Sequence, residues 1–311
     1  MEIKYAVVAP THNRSETFLP ECIESVRASE QDHDPDIRFS YRHVIVNDAS
    51  TDNTREYLDA EAANDPNLVF ARREENGGAG AAFDDGYGVL IDIIRAEIIR
   101  RPDGNAVERV APDLIVPLDD DDRFLRHTLR TYTRTIVEDI RANPGQDPLE
   151  LLFGRVVPID AAGTPTYETG GIDYNDIEYA PGMKFYDLMR KGNQIPSAAV
   201  AVGFLALGGQ RLRHWGCQDW ALALGALSTG IRHTFIADPP LAEYRIHQGQ
   251  ASLQHRLPGD VWDIDAQRVR STFPPSHKLG TGPDPYEALR LALEQMEREG
   301  LEIPLPQPRL A

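Results

Sequence analysis

The chain has 311 residues, 41% apolar and 26% charged, which is the composition of a soluble globular protein able to bury a sizeable core. The length fits one large α/β domain, or a core domain with appended segments. A net charge of -17 repels nucleic acid and anionic membranes, which argues against a phosphate-tracking role, and any anionic ligand needs local positive potential from a metal ion or backbone N–H groups.

Taken in chain order, the first 120 residues or so alternate strand and helix signals. Tyr5–Ala9 is a valine-rich run ended by Pro10. Phe18, Leu19, Cys22, Ile23 and Val26 follow at helical spacing. His43–Val46 is a second strand, Thr54–Ala63 has helical composition, and Asn67–Ala71 is a third strand. A long helix carries Ala82, Phe83, Leu90, Ile91, Ile94 and Ile98 on one stripe. Leu114–Leu118 is a fourth strand, running into four consecutive aspartates. Strands separated by helices imply a parallel sheet, whose ligands bind beyond the carboxyl ends of the strands. In the second half, Leu151–Val157 and Ala198–Val202 read as strands and Asp219–Leu227 as a helix. Asp160–Pro181 reads as a long loop or small hairpin, and Tyr286–Glu299 as a helical stretch within a Pro- and Gly-rich C-terminal segment.

Cys22 and Cys217 have neither zinc-site nor disulfide spacing, which points to a reducing compartment. The N-terminus lacks the apolar region of a signal peptide, and the longest apolar run, Ala198–Leu207, is too short to span a membrane. A cytoplasmic protein with no transmembrane segment is the expectation.

Polar clusters fall at the strand ends. If the chain stays extended through Asp119-Asp120-Asp121-Asp122, Asp119 and Asp121 point the same way. Four adjacent carboxylates repel one another unless a cation is present, and such oxygen ligands suit Mg²⁺ or Mn²⁺. The plain alternative is a solvated acidic turn, with Asp122 capping a helix that begins near Phe124. The first strand ends in Pro10-Thr11-His12-Asn13-Arg14. This turn has no glycine fingerprint for a dinucleotide, but Thr11 and Asn13 can bond a base or phosphate. Asp48 after the second strand can accept from ribose hydroxyls or a base N–H, or simply form an Asx turn. Asn76-Gly77-Gly78-Ala79-Gly80 resembles a phosphate loop at a helix N-terminus without its lysine.

Together, Ala-Pro-Thr-His-Asn-Arg, Val-Asn-Asp-Ala-Ser-Thr-Asp, Asn-Gly-Gly-Ala-Gly and Leu-Asp-Asp-Asp-Asp, in this order and spacing, resemble the family 2 glycosyltransferases. The resemblance covers about the first 125 residues. It continues more loosely through Gly208-Gly209, Gln218-Asp219-Trp220 and Tyr244-Arg245-Ile246-His247 to about residue 250. It implies a GT-A fold, an α/β architecture in which a Rossmann-like nucleotide-binding half with a mostly parallel sheet merges with an acceptor-binding half. Residues 1–125 would form the first half, 126–256 the second, and 257–311 a C-terminal extension.

The resemblance further implies an inverting enzyme of the EC 2.4 class that moves a sugar from a nucleoside-diphosphate sugar to an acceptor hydroxyl. UDP is the first expected nucleotide, then GDP or dTDP. Pro10, Thr11, Asn13, Asp48, Asp119 and Asp120 would bind the donor. Asp121 would hold Mn²⁺ or Mg²⁺, with His247 completing its shell. Asp219 would be the catalytic base, beside Gln218 where the family commonly has Glu. Trp215 or Trp220 could line an acceptor site, although core packing suits at least one of them. The acceptor is expected to be a saccharide, a small molecule or a protein side chain, and not nucleic acid. Two other readings stand beside this one: a nucleotidyltransferase of related fold, and a sugar-nucleotide-binding protein without catalysis.

Overall fold

The computed structural model describes residues 1–30, 36–100, 110–166, 197–204, 218–228 and 230–250. Ten strands, β1 (Glu2–Thr11), β2 (Arg38–Asn47), β3 (Leu68–Arg72), β4 (Leu114–Pro117), β5 (Arg123–Phe124), β6 (Leu149–Gly154), β7 (Val156–Ile159), β8 (Val200–Gly203), β9 (Arg232–Ile236) and β10 (Ala242–Arg245), are interleaved with helices α1 (Leu19–Glu30), α2 (Thr54–Asn64), α3 (Gly78–Arg100), α4 (Thr128–Ala142) and α5 (Gln218–Ser228) among the described residues. Seven strands form one sheet in the order β3-β2-β1-β4-β8-β6-β9, and β5-β10-β7 form a second. In the large sheet only β8 runs against its neighbours β4 and β6; the other pairings are parallel.

The sequence dictates this layering. β4 is buried at every position because it lies between β1 and β8, and its residues Leu114, Ile115, Val116 and Pro117 carry no charge. Alternation along β1 sends Ala6 and Val8 to one face, where Phe83, Leu90 and Ile94 of α3 and Leu222 and Leu224 of α5 pack. Tyr5 and Val7 face the other side, against Cys22 and Val26 of α1 and Leu129, Tyr132 and Ile136 of α4. Helix α3 lies close to the sheet at Gly86, where a Cβ would sit 2.5 Å from Val8 Cγ1 and 3.2 Å from Val46 Cγ2.

This agrees with the expected architecture, a mixed α/β fold with a large, mostly parallel sheet. Strand and helix bounds in the first half differ from the sequence expectation by a few residues. The second half differs more. The stretch read as one strand, Leu151–Val157, is split between β6 and β7, which lie in different sheets. Phe124 lies in β5, so the following helix starts at Thr128 and Asp122 does not cap it. Of the expected loop from Asp160, residues 160–166 form a turn in which Asp160 Oδ1 accepts from the Ala162 and Thr164 N–H groups. Its remainder, Trp215, Cys217, Gly208-Gly209, the Tyr286–Glu299 helix and the C-terminal extension lie outside the described residues. No helix among the described residues is long and apolar enough to cross a membrane.

Candidate active site at the strand ends

Because β1, β2 and β4 are parallel, their carboxyl ends open at one edge of the sheet. The amino end of the reversed strand β8 arrives at the same edge. A cleft there is lined by Pro10, Ala79, Phe83, Pro117, Leu118, Asp119, Ser197, Asp219 and Leu222. It therefore draws on β1, α3, β4, the turn before β8, and the first turns of α5. Asp119 and Asp219, about a hundred residues apart in sequence, share this cleft.

The four aspartates divide by orientation. Asp119 Oδ2 accepts a hydrogen bond from the Ser197 hydroxyl at 2.7 Å. Its carboxyl is pushed up to about 7, chiefly by burial and then by the charges of Asp121 and Asp219, with Ser197 opposing. Asp120 is pushed up to about 8 by burial and by Asp121, offset in part by Thr11 and Arg14. Asp121 Oδ2 lies 2.8 Å from His247 Nε2. Asp122 turns inward and is 1% exposed. Its Oδ1 accepts from the Arg245 N–H at 2.8 Å, and burial first, then Asp121 and Asp119, hold its carboxyl well above the usual range. Asp119, Asp120 and Asp121 are only partly buried, so these three keep access to solvent or ligand. Cys22 Sγ sits 3.8 Å from the Asp119 carbonyl, and burial with the four aspartates raises its thiol far above its ordinary value, leaving it inert.

The remaining candidates are held by their own loops. Asn13 has a left-handed backbone (φ 56) that asparagine tolerates, and its Oδ1 accepts from the Thr51 N–H at 2.8 Å. Thr11 is 3% exposed at the end of β1. The Asp48 carboxylate, 3% exposed, accepts from the Gly77 N–H at 3.0 Å and the Gly78 N–H at 2.8 Å, and pairs with Arg73 Nε at 2.8 Å. The glycine turn at the start of α3 thus presents two of its amides to a carboxylate of the protein itself. Pro10 lines the cleft directly. The structure brings Pro10, Asp119 and Asp219 into one cleft and pairs Asp121 with His247, while Asn13 and Asp48 support the loops around it.

Asp219 lies in the first turn of α5, where the helix dipole favours a negative charge, and its Oδ1 accepts from the Trp220 N–H at 2.7 Å. Trp220 is 3% exposed and packs in the core, so it is not an acceptor platform. The side chain of Gln218 lies outside the described residues. Three further residues have places here that sequence reasoning missed: Ser197 on Asp119, Arg73 on Asp48, and Arg245 behind the acidic run. Arg73 follows β3 directly, so the strand-end rule marks its position; Ser197 and Arg245 carry no such signal.

Among the described residues, no three His, Cys, Asp or Glu side chains converge as a ready-made metal site. The donors present do fit a hard divalent cation that keeps water and phosphate in its shell: a carboxylate and an imidazole nitrogen within 2.8 Å, beside two more partly open carboxylates.

Residues 6–88 match the sequence profile described as Glycosyl transferase family 2. The dolichyl-phosphate beta-glucosyltransferase ALG5C of Trichomonas vaginalis is 31% identical over 85 residues, which are 27% of this chain and 25% of that protein. The match thus spans about a quarter of that curated relative. Among solved structures, S. aureus TarS residues 1–349 in complex with UDP-GlcNAc align over 96% of this chain and 72% of theirs, with a TM-score of 0.59 and 16% identity. The same TarS fragment with UDP gives 0.52 at 15% identity over the same shares. A longer TarS structure gives 0.55 at 15% identity, over 96% of this chain and 44% of its own. Residues 6–88 are accordingly similar to family 2 glycosyltransferases, and the fold is that of the TarS structures.

Proposed function

We propose that the protein transfers a sugar from a nucleoside-diphosphate sugar to an acceptor hydroxyl, with inversion and with the help of a divalent cation. The observation that carries this reading is the meeting of Asp119, from the nucleotide half, with Asp219, from the second half, in one cleft. Such an arrangement lets a bound donor and an attacking hydroxyl face each other. UDP is the first candidate nucleotide, because the structurally similar TarS fragment was solved with UDP-GlcNAc and with UDP.

In this reading Pro10 and the α3 turn border the nucleotide, with Asp48 holding the Gly77–Gly78 amides in place. Asp119 and Asp120 face the ribose or sugar. Asp219 takes the proton of the acceptor hydroxyl as it attacks the anomeric carbon. Its place in the first turn of α5 puts the carboxylate at the favourable end of the helix dipole. One base acting in a direct displacement through an oxocarbenium-like transition state gives inversion. Asp121 and His247 would hold a bound Mn²⁺ or Mg²⁺, which would neutralise charge on the departing diphosphate.

The test is thermal stabilisation by UDP, GDP, dTDP, CDP and ADP, each with and without Mn²⁺, followed by a transfer assay with the matching sugar nucleotide. One nucleotide should raise the melting temperature, and the shift should vanish with EDTA and in Asp121→Asn. Asp219→Asn should keep that shift while kcat falls by roughly 10²–10⁴. Folded protein that responds to none of the five nucleotides would refute the reading. Product of retained configuration would refute the inversion.

A further inference from the structure

We propose that Arg245 is a positioning residue that sets Asp121 against His247, an inference that rests on the metal-assisted reading above. The Arg245 guanidinium is fully buried. Its Nε donates to the main-chain oxygen of Asp121 at 2.7 Å. One terminal nitrogen donates to the Ala161 oxygen at 3.0 Å and the other to Glu21 Oε2 at 2.7 Å. Its own backbone N–H donates to Asp122 Oδ1 at 2.8 Å. A single residue therefore grips Asp121 by its carbonyl and Asp122 by its carboxylate.

The same residue governs the other member of the pair. His247 lies two positions beyond Arg245, and the Phe18 ring sits between them, 4.8 Å from the guanidinium and 4.7 Å from the imidazole centroid. Charge balance alone does not require this arrangement. Glu21 would neutralise the guanidinium, yet its other contacts go to the main-chain oxygens of Asp121, Asp160 and Ala161, of which the Asp121 bond is the shortest at 2.7 Å. An arginine fork sends its donors in fixed directions, which a lysine ammonium does not. The arrangement suits an orienting part more than a charge partner. Residues behind metal ligands typically fix ligand direction in this way.

The decisive measurement is direct Mn²⁺ binding, read from loss of the free-ion EPR signal, with and without UDP. It is made on the wild type, Arg245→Lys, Asp121→Asn and the double variant. Arg245→Lys should remain folded by circular dichroism and bind Mn²⁺ about tenfold more weakly. In the Asp121→Asn background the lysine should have no further effect, because the two residues act through one arrangement. Unchanged Mn²⁺ affinity in Arg245→Lys, or an equal loss in both backgrounds, would overturn the inference and leave Arg245 a purely structural residue. Should the lysine variant fail to fold, Glu21→Gln replaces it. That variant loosens the tie to Arg245, together with one to Arg123 at 2.9 Å, and leaves the bond to the Asp121 carbonyl in place; it should weaken Mn²⁺ binding with the same dependence on Asp121, and full affinity would overturn the inference. A wild type that binds UDP but no Mn²⁺ would instead refute the metal-assisted reading itself.

Discussion

Gly86→Ala tests how tightly α3 is seated on the sheet, and through it how the cleft is shaped. The added Cβ would stand 2.5 Å from Val8 Cγ1 and 3.2 Å from Val46 Cγ2. Carbon atoms are content at about 3.5–4.0 Å, so the helix and β1 must separate by about 1 Å, or the valines must leave their rotamers. Overpacking of this kind costs about 1–3 kcal/mol. Replacing glycine by alanine inside a helix returns about 1 kcal/mol, so the net loss should be about 1 kcal/mol. That corresponds to a fall of about 3 °C in melting temperature for a domain of this size. The sharper expectation is a change of sign. In a Val8→Ala background the new methyl fills the space that the valine vacates, so the same substitution should stabilise. Four proteins, melted by circular dichroism under identical conditions, suffice. An effect of the same sign in both backgrounds would refute the packing argument. Because Ala79 and Phe83 line the cleft from α3, Gly86→Ala should also weaken nucleotide binding.

The other predictions concern stability. His43 is 2% exposed, its Nε2 has no hydrogen-bond partner, and burial pushes its pKa down to about 3. The folded value lies below the unfolded one, so its contribution is complete above about pH 6.5 and is lost as pH falls below it. Between pH 6.5 and 5 the loss should be about 2 kcal/mol in denaturant unfolding, and His43→Asn should remove that part of the slope; an unchanged slope would exclude the assignment. Arg27 joins α1 to α2 through Glu61 at 2.9 Å and Asp65 at 3.1 Å while a third of its side chain stays exposed. Arg27→Ala should cost no more than about 1 kcal/mol, and much of that should disappear in 1 M salt. A loss that salt leaves intact would mean that packing of the side chain stem matters more than its charge.

The first half was legible because its elements are long and its punctuation is strong. Each buried strand there ends in a polar cluster, and helix α3 repeats its apolar stripe over 23 residues. The small sheet was not legible for the opposite reason. It assembles two residues from β5, four from β7 and four from β10, too few for any period to register, and they lie far apart in the chain. The candidate site was legible as a set of positions and less so as a set of contacts. Asn13 and Asp48 stand at the strand ends as expected, but whether a carboxylate points outward or into its own loop depends on where Gly77, Gly78 and Arg73 fall in space. A fully buried arginine such as Arg245 runs against every compositional expectation, since arginine is almost never fully buried unless paired. Its partners come from α1, the acidic run and the turn after β7, and no local pattern connects these.

The reversal of β8 has a consequence for how such a protein can change over generations. β6 runs toward the edge that holds the cleft, and β8 begins there, so the chain leaves the large sheet after Gly154 and re-enters it at Val200 on the same side. The turn at 160–166 is held by Arg245 and Arg123 through the Ala161 and Gly163 oxygens; beyond it, a connection that starts and ends at one edge can change length without altering a strand register. Loop closure grows only slowly more costly with length, about 0.6 kcal/mol per doubling. Selection could therefore rewrite that stretch repeatedly while β1, β2 and β4 stay fixed.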